Sequence, residues 1–529
     1  MLILQDITYT LPNRDLLFSN ISLKLNPQDK IGLIGKNGVG KSTLLRMINC
    51  EVFPVEGKLH LEAHPYYLPQ VYGQYNHLTI AEALGVKEKI QAFHAILEGD
   101  GREETYALLD DDWTIEERCK AALNYWQLTD LELDQKLEHL SGGQKTRVLL
   151  AGISIHEPLL VLMDEPSNHL DTEGRELLYQ FIRSTSSSLL IISHDRKLLN
   201  QLPVICEMKR DGITSYGGNY DFYREQKEKE LKALNQDLQN KEVSLRKAKK
   251  KQRETKERQN KLDARGKKKQ LQTGTPRIMM NKLKNDAENT SSKLKNLHNK
   301  RVDDISQELR DLRASLPEID KMRFGFEDSS LHKGKILFEA EGINYSYTKE
   351  VIWKENLSLH IKSGQRLALK GLNASGKTTL IKLILGDLDP QVGKLKRAIN
   401  NSVYIDQNYS LLDNKLSLYE QTQIFNNSNL QEYKVKTRLN RFLFGKEDWG
   451  KSCEALSGGE RMRLILCCLT LSQQAPDLIV LDEPTNNLDI QNIEILTKAI
   501  NQYHGTLLVV SHDERFLEEI HIESEIVLE

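Results

Sequence analysis

Two segments of the chain have the residue types and spacing of a phosphate-binding loop. GKNGVGKST, which begins at Gly35, and GLNASGKTT, which begins at Gly371, both fit the pattern G-x-x-x-x-G-K-[ST]. Glycines let the backbone turn tightly, so that its N–H groups and the N-terminus of the next helix face a phosphate. One such match can arise by chance. Two matches, each before a stretch that predicts a helix, indicate nucleotide binding.

The last residues of each loop add a positive charge and a metal ligand. Lys41 and Lys377 are expected to reach the β- and γ-phosphates. The hydroxyls of Ser42 and Thr378 stand where Mg²⁺ needs an oxygen ligand. The residues predicted to contact the nucleotide from the two loops are Gly35, Lys36, Asn37, Gly38, Val39, Gly40, Lys41, Ser42, Thr43, Gly371, Leu372, Asn373, Ala374, Ser375, Gly376, Lys377, Thr378 and Thr379.

Each phosphate loop is followed, further along the chain, by an apolar stretch that ends in Asp-Glu. These stretches are LLVLMDEP and LIVLDEP. Asp164 and Asp482 suit the ligand shell of the metal. Glu165 and Glu483 would then lie beside the γ-phosphate, where a carboxylate orients the attacking water or accepts its proton. A strand-end carboxylate pair without a function is the alternative, and the phosphate loops disfavour it.

Two histidines and two glutamines recur at matching places in the two copies. His194 and His512 stand in SHD after a predicted buried strand, each at the same distance from its Asp-Glu pair. A histidine there can bond a γ-phosphate oxygen, although a single one would more often be a local cap. Gln70 and Gln407 follow another predicted strand, and only their repetition favours a function over an ordinary surface position.

A second anion-binding element occurs in each copy, far along the sequence from the phosphate loop. LSGGQ and LSGGE place a serine and two glycines at the start of a predicted helix, which is a favourable site for an anion. One domain does not need two phosphate cradles. We therefore expect each copy to lend its second cradle to the nucleotide of the other copy. The residues concerned are Ser141, Gly142, Gly143, Ser457, Gly458 and Gly459.

These motifs lie in a duplicated domain of the α/β class. Strands alternate with helices in both copies, which predicts mostly parallel sheets. The predicted domains are a first copy over 1–221, a helical linker over 222–330 and a second copy over 331–529. The first copy has about 20 additional residues, which we place near 85–112, where GDGREETYALLDDD predicts an acidic loop.

The linker has apolar residues at alternating spacings of three and four, which predicts an antiparallel helical hairpin. Its tip is expected near 265–277, where two glycines and a proline break a helix. Residues 241–300 hold 20 Lys/Arg and 6 Asp/Glu, although the whole chain has a net charge of −2. Such a local excess matches RNA. The predicted RNA contacts are Arg265, Lys267, Lys268, Lys269 and Arg277, while a solvated helix face is the alternative.

Composition excludes several classes of protein. The six cysteines are scattered without a CxxC pair, which argues against a disulfide framework, a zinc site or an iron–sulfur cluster. The first residues lack the charged and apolar regions of a signal peptide. Since no stretch has 18 consecutive apolar residues, we expect no membrane span and a cytoplasmic protein.

Together these motifs resemble an ATP-binding cassette protein, with Walker A, Q-loop, LSGGQ signature, Walker B, D-loop and H-loop. Two cassettes joined by a helical linker, with YGGNYDFY leading into it, resemble the ABC-F family specifically. The resemblance covers essentially the whole chain. It implies an ATPase that uses ATP and Mg²⁺, with Gln70 and Gln407 near the metal. It also implies binding at the ribosomal exit site, with the linker reaching P-site tRNA and the peptidyl-transferase region, in translation or in antibiotic protection.

The resemblance implies that the two nucleotide sites differ at the adenine position, and it leaves an alternative function open. Cassettes usually stack the adenine on an aromatic residue that follows the first strand. The residue at this position is Tyr347 in copy two and Leu11 in copy one. Pairing of two cassettes within one chain implies no obligatory homo-oligomer. The alternative is a cassette ATPase that acts on another nucleic acid or serves a transporter. A scaffold without activity is disfavoured because both Walker B glutamates are present.

Overall fold

The computed structural model describes most of the chain. The described residues are 1–70, 73–270, 299–313, 334–347, 350–372, 375–472, 474–486 and 488–528, with isolated positions at 292, 296, 297, 322 and 332. They form two compact units, of which one comprises Met1–Tyr223 with Met322–Glu529 and the other Arg224–Lys321. Of the residues predicted to bind the nucleotide, Asn373 and Ala374 lie outside this description, as does the predicted RNA contact Arg277.

The first cassette contains two sheets. A six-stranded sheet has the order β5-β6-β7-β3-β8-β9 and is parallel except for its last strand. An antiparallel sheet has the order β2-β1-β4. The strands are β1 Leu2–Thr10, β2 Leu16–Leu25, β3 Lys30–Ile34, β4 Glu56–Leu61, β5 Tyr66–Leu68, β6 Leu160–Asp164, β7 Ser188–Ile192, β8 Val204–Lys209 and β9 Gly212–Tyr216. The apolar runs of β6 and β7 are fully buried, as expected for central parallel strands.

The helices of the first cassette are α1 Lys41–Ile48, α2 Ile80–Ala83, α3 Lys87–Leu97, α4 Glu103–Leu109, α5 Ile115–Tyr125, α6 Gly142–His156, α7 Thr172–Ser184 and α8 Arg196–Leu199. The predicted acidic loop near 85–112 is wrong in its local structure, because α3 and α4 occupy most of it. Glutamate, leucine and alanine favour a helix, and Ala92 and Leu109 are buried in the core of the cassette. Acidity alone therefore does not indicate a loop.

The second cassette repeats this plan. Its parallel sheet has the order β14-β15-β16-β12-β17, and its antiparallel sheet has the order β11-β10-β13. The strands are β10 Ile336–Asn344, β11 Leu357–Lys362, β12 Arg366–Gly371, β13 Val392–Arg397, β14 Ser402–Ile405, β15 Leu478–Asp482, β16 Thr506–Val510 and β17 Ser524–Leu528. The two-cassette α/β fold predicted from the sequence is confirmed.

The long helix α9, Tyr220–Gln270, supplies the first part of the linker unit, and residues 299–313 form a further helical segment, α10. Three side-chain contacts join them: Lys241 to Glu308, Gln252 to Asn299 and Glu242 to Arg313. Lys241 and Glu242 contact residues 308 and 313, whereas Gln252, further along α9, contacts residue 299, which is the antiparallel pairing that the apolar spacing predicts. Gly266 lies within α9, so this glycine does not end the helix as expected.

The second cassette's helices are α11 Lys377–Leu385, α12 Leu418–Ile424, α13 Glu432–Arg441, α14 Gly458–Leu469, α15 Ile490–Asn501 and α16 Glu514–Glu519. An isolated bridge between Thr79 and Lys136 in cassette one matches a bridge between Ser417 and Ser452 in cassette two. In the described chain, four helices (α2 to α5) lie between the bridged positions of cassette one and two (α12 and α13) in cassette two. The additional residues of cassette one therefore lie in this segment. No helix among the described residues is long and apolar enough to cross a membrane.

Candidate nucleotide sites

Each phosphate loop joins a central strand to a helix through a left-handed glycine. Gly40 has a φ of 101° and immediately precedes α1, while Gly376 has a φ of 89° and precedes α11. A Cβ at Gly40 would lie 2.7 Å from the Phe18 ring, and one at Gly376 would lie 2.7 Å from Ile352. The turn therefore requires glycine for both its conformation and its packing. The turn directs the free N–H groups at the start of the helix into the space that the loop encloses, where a phosphate would bind.

The two loop lysines are held by the loops themselves. Lys41 Nζ donates hydrogen bonds to the carbonyl oxygens of Gly35 at 2.7 Å and Lys36 at 3.2 Å. Lys377 Nζ bonds the equivalent carbonyls, Gly371 and Leu372, each at 2.8 Å. Burial lowers the pKa of both lysines, and the nearby Asp-Glu carboxylates oppose this effect. A nucleotide phosphate would give each ammonium a stronger partner than a carbonyl.

The Asp-Glu pairs end the buried strands β6 and β15. Glu165 has a φ of 53° and Glu483 a φ of 47°, a conformation that is strained for residues other than glycine. Burial raises the pKa of Glu165 to about 8, with Asp164 adding to the shift. Burial likewise raises the pKa of Glu483 to about 7. Both glutamates are thus buried carboxyls at the end of a strand, where perturbed acids mark functional sites.

The aspartates have the surroundings that a divalent cation needs. Burial raises the pKa of Asp164, and a hydrogen bond with Ser42 opposes this shift. Asp164 Oδ1 is buried, and no described residue bonds it, which leaves an oxygen suited to a cation. In the second site Asp482 Oδ2 accepts a 2.8 Å hydrogen bond from Tyr404. The hydroxyl and carboxylate oxygens present are hard ligands of the kind that Mg²⁺ prefers, so the residues fit this metal.

Each histidine contacts the glutamate of its own site. His194 Nε2 lies 3.3 Å from Glu165 Oε1, and His512 Nε2 lies 3.3 Å from Glu483 Oε1. Burial lowers the pKa of His194 well below its ordinary value, and it lowers the pKa of His512 to about 4. Both rings are therefore neutral at pH 7, and each has one N–H to donate.

Two cavities hold these groups. The cavity of site one, about 390 Å³, is lined by Leu11, Leu17, Asn37, Gly38, Gly40, Lys41, Ser42, Thr43, Gln70, Asp164, Glu165, Ile192 and His194. The cavity of site two, about 570 Å³, is lined by Tyr347, Ile352, Gly376, Lys377, Thr378, Thr379, Tyr404, Asp406, Gln407, Asn408, Asp482, Glu483, Val510 and His512. The structure thus brings together the predicted lysines, hydroxyls, glutamines, carboxylates and histidines of each copy.

The two cavities differ at the expected adenine position. Tyr347 is 63 % exposed, lines cavity two and packs edge-on against Tyr345 at 5.0 Å. Leu11 lines cavity one in its place. Tyr9 does not replace the missing aromatic residue, because its ring packs against Phe18 in the core. Site one therefore offers an aliphatic surface where site two offers an aromatic one.

The signature serines cap helices and do not line either cavity. Ser141 and Gln144 form a capping box at the start of α6, and Ser457 and Glu460 form one at the start of α14. Both serines are exposed. The cross-cassette role of Ser141, Ser457 and the glycines that follow them remains a prediction. A helix start has N–H groups without an intrahelical partner, which is the feature that the predicted role requires.

Other residues do cross between the cassettes. Asp489 Oδ2 accepts a 2.9 Å hydrogen bond from the backbone N–H of Asn37 in the first phosphate loop. Thr172 Oγ1 lies 3.3 Å from His512 Nδ1 in the second site. Arg196 forms ion pairs with Glu519 at 2.7 Å and with Asp513 at 3.4 Å. The described nucleotide sites therefore have contributions from both halves of the chain.

Sequence reasoning missed several of these residues. Tyr404 bonds the predicted metal ligand Asp482, and its equivalent Tyr67 has a pKa that burial and Asp164 raise above its usual range. A tyrosine three positions before the glutamine in both copies was the available signal. Thr172 and Arg196 gave no signal, because the other copy has unlike residues at these positions.

The chain matches the ABC transporter family over residues 18–168 and 354–486. It is 31 % identical to the ATP-binding protein Uup of Haemophilus influenzae, over 95 % of this chain and 75 % of that protein. It is 29 % identical to the probable ATP-binding protein YbiT of Escherichia coli O157:H7, over 98 % and 94 %. It is 30 % identical to the putative ATP-binding protein YdiF of Bacillus subtilis, over 96 % and 77 %.

Solved structures share the fold at low sequence identity. A structure described as RNase-L inhibitor matches 99 % of this chain and 87 % of its own, with a TM-score of 0.61 and 19 % identity. A complex of the archaeal ribosomal stalk protein aP1 and the ribosome recycling factor aABCE1 matches with the same coverage, a TM-score of 0.60 and 19 % identity. The family match over both copies and the relatives at 30 to 31 % identity show that the chain belongs to the ATP-binding cassette family, and within it to the ABC-F group. It is an ATPase with two ATP-binding cassettes.

Proposed function

We propose that this ATPase acts on the ribosome, with ATP binding and hydrolysis at two sites and contact to RNA through the linker. The observation that carries the proposal is the charge of α9. Its exposed basic residues between 246 and 265 are Arg246, Lys247, Lys249, Lys250, Lys251, Arg253, Lys256, Arg258, Lys261 and Arg265. Only Glu254 and Glu257 are exposed acids among the described side chains of that stretch. Such a face neutralises phosphates of a nucleic acid.

The site residues have the following proposed roles in each cassette. Lys41 and Lys377 bind the β- and γ-phosphates, and the loop N–H groups bind the remaining phosphate oxygens. Ser42 with Asp164 and Gln70, and their counterparts Thr378, Asp482 and Gln407, hold Mg²⁺, which would neutralise charge that develops on the phosphates. Glu165 and Glu483 orient the attacking water and accept its proton. His194 and His512 donate their Nε2 hydrogen to a γ-phosphate oxygen.

The proposed sites become complete when the cassettes close. Site one would gain Ser457, Gly458 and Gly459, and site two would gain Ser141, Gly142 and Gly143. Two helix N-termini would then face each triphosphate from opposite sides. Closing the cassettes on ATP and opening them after hydrolysis would bind the protein to the ribosome and then release it.

In its finer form, the proposal places the protein at the ribosomal exit site in the cytoplasm. The linker would extend towards P-site tRNA and the peptidyl-transferase centre, with Arg265, Lys267, Lys268, Lys269 and Arg277 near its tip. Two solved structures of this fold are described as a ribosome recycling factor and as ribosome-bound. This likeness concerns the fold alone, and the charge of the linker supports ribosome binding independently of it.

The test is co-sedimentation of the protein with ribosomes in ATP at rising salt. The linker variant replaces Lys249, Lys250 and Lys251 by glutamine, which keeps the helix propensity. The control makes the same change at Lys24, Lys58 and Lys394, which are exposed lysines of the cassettes. We expect the linker variant to leave the ribosome at lower salt, with a salt slope reduced by about one for each lost phosphate contact. Equal behaviour of linker variant, control and parent would overturn the proposal.

The second candidate partner of the basic linker is a nucleic acid other than ribosomal RNA, because all nucleic acids carry the same phosphate charge. Stimulation of ATP turnover by DNA and not by ribosomes would favour it, as stimulation by membrane components would favour a transporter partner. The proposed physiological task is translation regulation, rescue of stalled ribosomes or antibiotic protection. Susceptibility to ribosome-targeting antibiotics, with and without the gene, tests antibiotic protection, which predicts a lower inhibitory concentration of the drug when the gene is absent.

A further inference from the structure

The two nucleotide sites share a His–Glu contact but differ at the other ring nitrogen. In both sites Nε2 of the histidine lies 3.3 Å from Oε1 of the glutamate. His194 Nδ1 in site one is buried, and no described residue bonds it. His512 Nδ1 in site two lies 3.3 Å from the hydroxyl oxygen of Thr172, which belongs to cassette one. The two rings therefore differ in what fixes their orientation and tautomer.

The difference arises from one pair of equivalent positions. Thr172 is the first residue of α7, and Ile490 is the first residue of α15. Each follows the aspartate that caps its helix. Thr172 has a hydroxyl to donate, whereas Ile490 is half-buried and packs against the hydrophobic core of cassette one. Cassette two therefore has no side-chain donor at the position from which cassette one reaches His512.

A second pair of equivalent positions on α7 and α15 also has a polar residue in cassette one and an apolar residue in cassette two. Arg175 of α7 is 12 % exposed, lies 3.8 Å from Asp195 and donates a 3.2 Å hydrogen bond to the Leu170 carbonyl. Its charge acts across the boundary on both Glu483 and His512, where it lowers the pKa of each. Its equivalent, Ile493, is apolar and 2 % exposed. Cassette one thus presents two polar groups to site two, and cassette two presents two isoleucines in their place.

We propose that Thr172 is a positioning residue of site two, which fixes the His512 ring from the opposite cassette, and that no described residue does the same for His194 in site one. Thr172 donates its hydroxyl hydrogen to His512 Nδ1. The ring must then be protonated at Nε2, which is the nitrogen that faces Glu483. This tautomer is also the one that donates to a γ-phosphate oxygen. Movement of cassette one changes the orientation of His512 directly, whereas no described residue of cassette two contacts the His194 ring in this way.

The inference rests on the proposed catalytic role of His512, and its first test does not depend on turnover. The full chain is labelled with ¹⁵N-histidine, and long-range ¹H–¹⁵N spectra identify the tautomer of each ring at neutral pH. His512→Gln and His194→Gln assign the two signals. We expect His512 to be the Nε2–H tautomer in the parent and in Thr172→Ser, and to become a mixture of tautomers in Thr172→Val. Thr172→Ala serves as a second variant should valine disturb the fold.

Ile490→Val is the matched control, because it makes a small apolar change at the equivalent position. We expect it to leave the His512 spectrum unchanged. The inference is overturned if the His512 signal is the same in the parent, Thr172→Val and Thr172→Ala. It is also overturned if Ile490→Val shifts that signal as much as Thr172→Val does, since the effect would then come from general packing at the interface.

A kinetic test follows in backgrounds that leave one site active. Glu165→Gln isolates site two, and Glu483→Gln isolates site one. We expect Thr172→Val to lower kcat about three- to tenfold in the first background, the effect of one lost hydrogen bond, with little change in KM and with rescue by serine. An equal loss in both backgrounds would contradict the inference. Failure of Glu483→Gln itself to reduce turnover would refute the proposed function, and the spectra would still decide the role of Thr172.

Discussion

Asp489, which caps the helix after the second Asp-Glu pair, accepts a 2.9 Å hydrogen bond from the backbone N–H of Asn37 in the first phosphate loop. The two residues are 452 positions apart. Asp489 is 4 % exposed, and its charge opposes the effect of burial on the Lys41 ammonium. A carboxylate of cassette two is thus part of the loop that would hold a phosphate in cassette one.

Replacement of Asp489 by asparagine should weaken site one without unfolding the helix. Asp489 Oδ1 caps the helix by accepting from the Asn492 backbone at 2.8 Å, and an amide oxygen can do the same. The amide NH₂ would then face the Asn37 N–H, where two donors repel. We expect a several-fold loss of ATP affinity at site one in nucleotide titrations. Asp489→Ala should in addition destabilise the protein by about 1 kcal/mol. Unchanged affinity in Asp489→Asn would contradict this role.

Arg196 should contribute strongly to the stability of the cassette pair. It is 3 % exposed and pairs with Asp513 and Glu519 of the other cassette. Arg196→Met would remove the cation that pairs with Asp513 and would leave Glu519 paired with Arg515 at 3.5 Å, at a cost of about 3 kcal/mol in urea denaturation. The neighbouring Lys197, which pairs with Glu514 and is 47 % exposed, provides the control. Lys197→Met should cost less than about 1 kcal/mol. Similar losses in both variants would argue against a buried interface.

Glu483 should make the stability of the nucleotide-free protein depend on pH. Its pKa is about 7 in the folded protein and near 4.5 in the unfolded chain, so the folded state binds the additional proton between these values. Stability from this group is therefore highest at low pH and decreases as pH rises from 4.5 to 7. Glu483→Gln should gain up to about 3 kcal/mol relative to the parent between pH 5 and pH 8. Urea midpoints with a chelator present measure this difference, and a constant difference across pH would refute it.

Ser457 should serve the site of the opposite cassette. Ser457→Ala removes the capping hydroxyl of α14, which costs about 1 kcal/mol of local stability. With site two silenced by Glu483→Gln, we expect this variant to lower turnover at site one about tenfold or more, the scale of a lost charge-assisted hydrogen bond. Ser141→Ala in the same background should lower it much less. Ser457→Thr retains the cap and controls for helix stability. Equal losses from Ser141→Ala and Ser457→Ala would contradict the cross-cassette assignment.

Local chemistry could be predicted from the sequence, because the groups that bind one phosphate lie on loops with fixed spacing. The repeat predicts that Lys41, Glu165 and His194 share one site, and these three residues line one cavity. The acidic segment near 85–112 shows a limit. Its glutamates favour helices as well as solvated loops, and only the burial of residues such as Leu109 decides between them.

The contacts between cassettes could not be predicted in the same way. Thr172 and His512 are 340 positions apart, and Arg196 and Asp513 are 317 apart. Each contact depends on how two folded surfaces meet, which no local pattern records. The repeat was even misleading here, because the positions equivalent to Thr172 and Arg175 hold isoleucine. Comparison of the copies identifies what both sites share and overlooks what makes them different.

The most direct test of a two-site ATPase that acts on ribosomes combines Glu165→Gln with Glu483→Gln. Both changes keep the size and polarity of the side chain and remove the proton acceptor. We expect turnover to fall by about 100-fold or more, while the variant binds ATP and stays on ribosomes in co-sedimentation with ATP. Turnover close to that of the parent, or pelleting with ribosomes that is the same with and without ATP, would contradict the account.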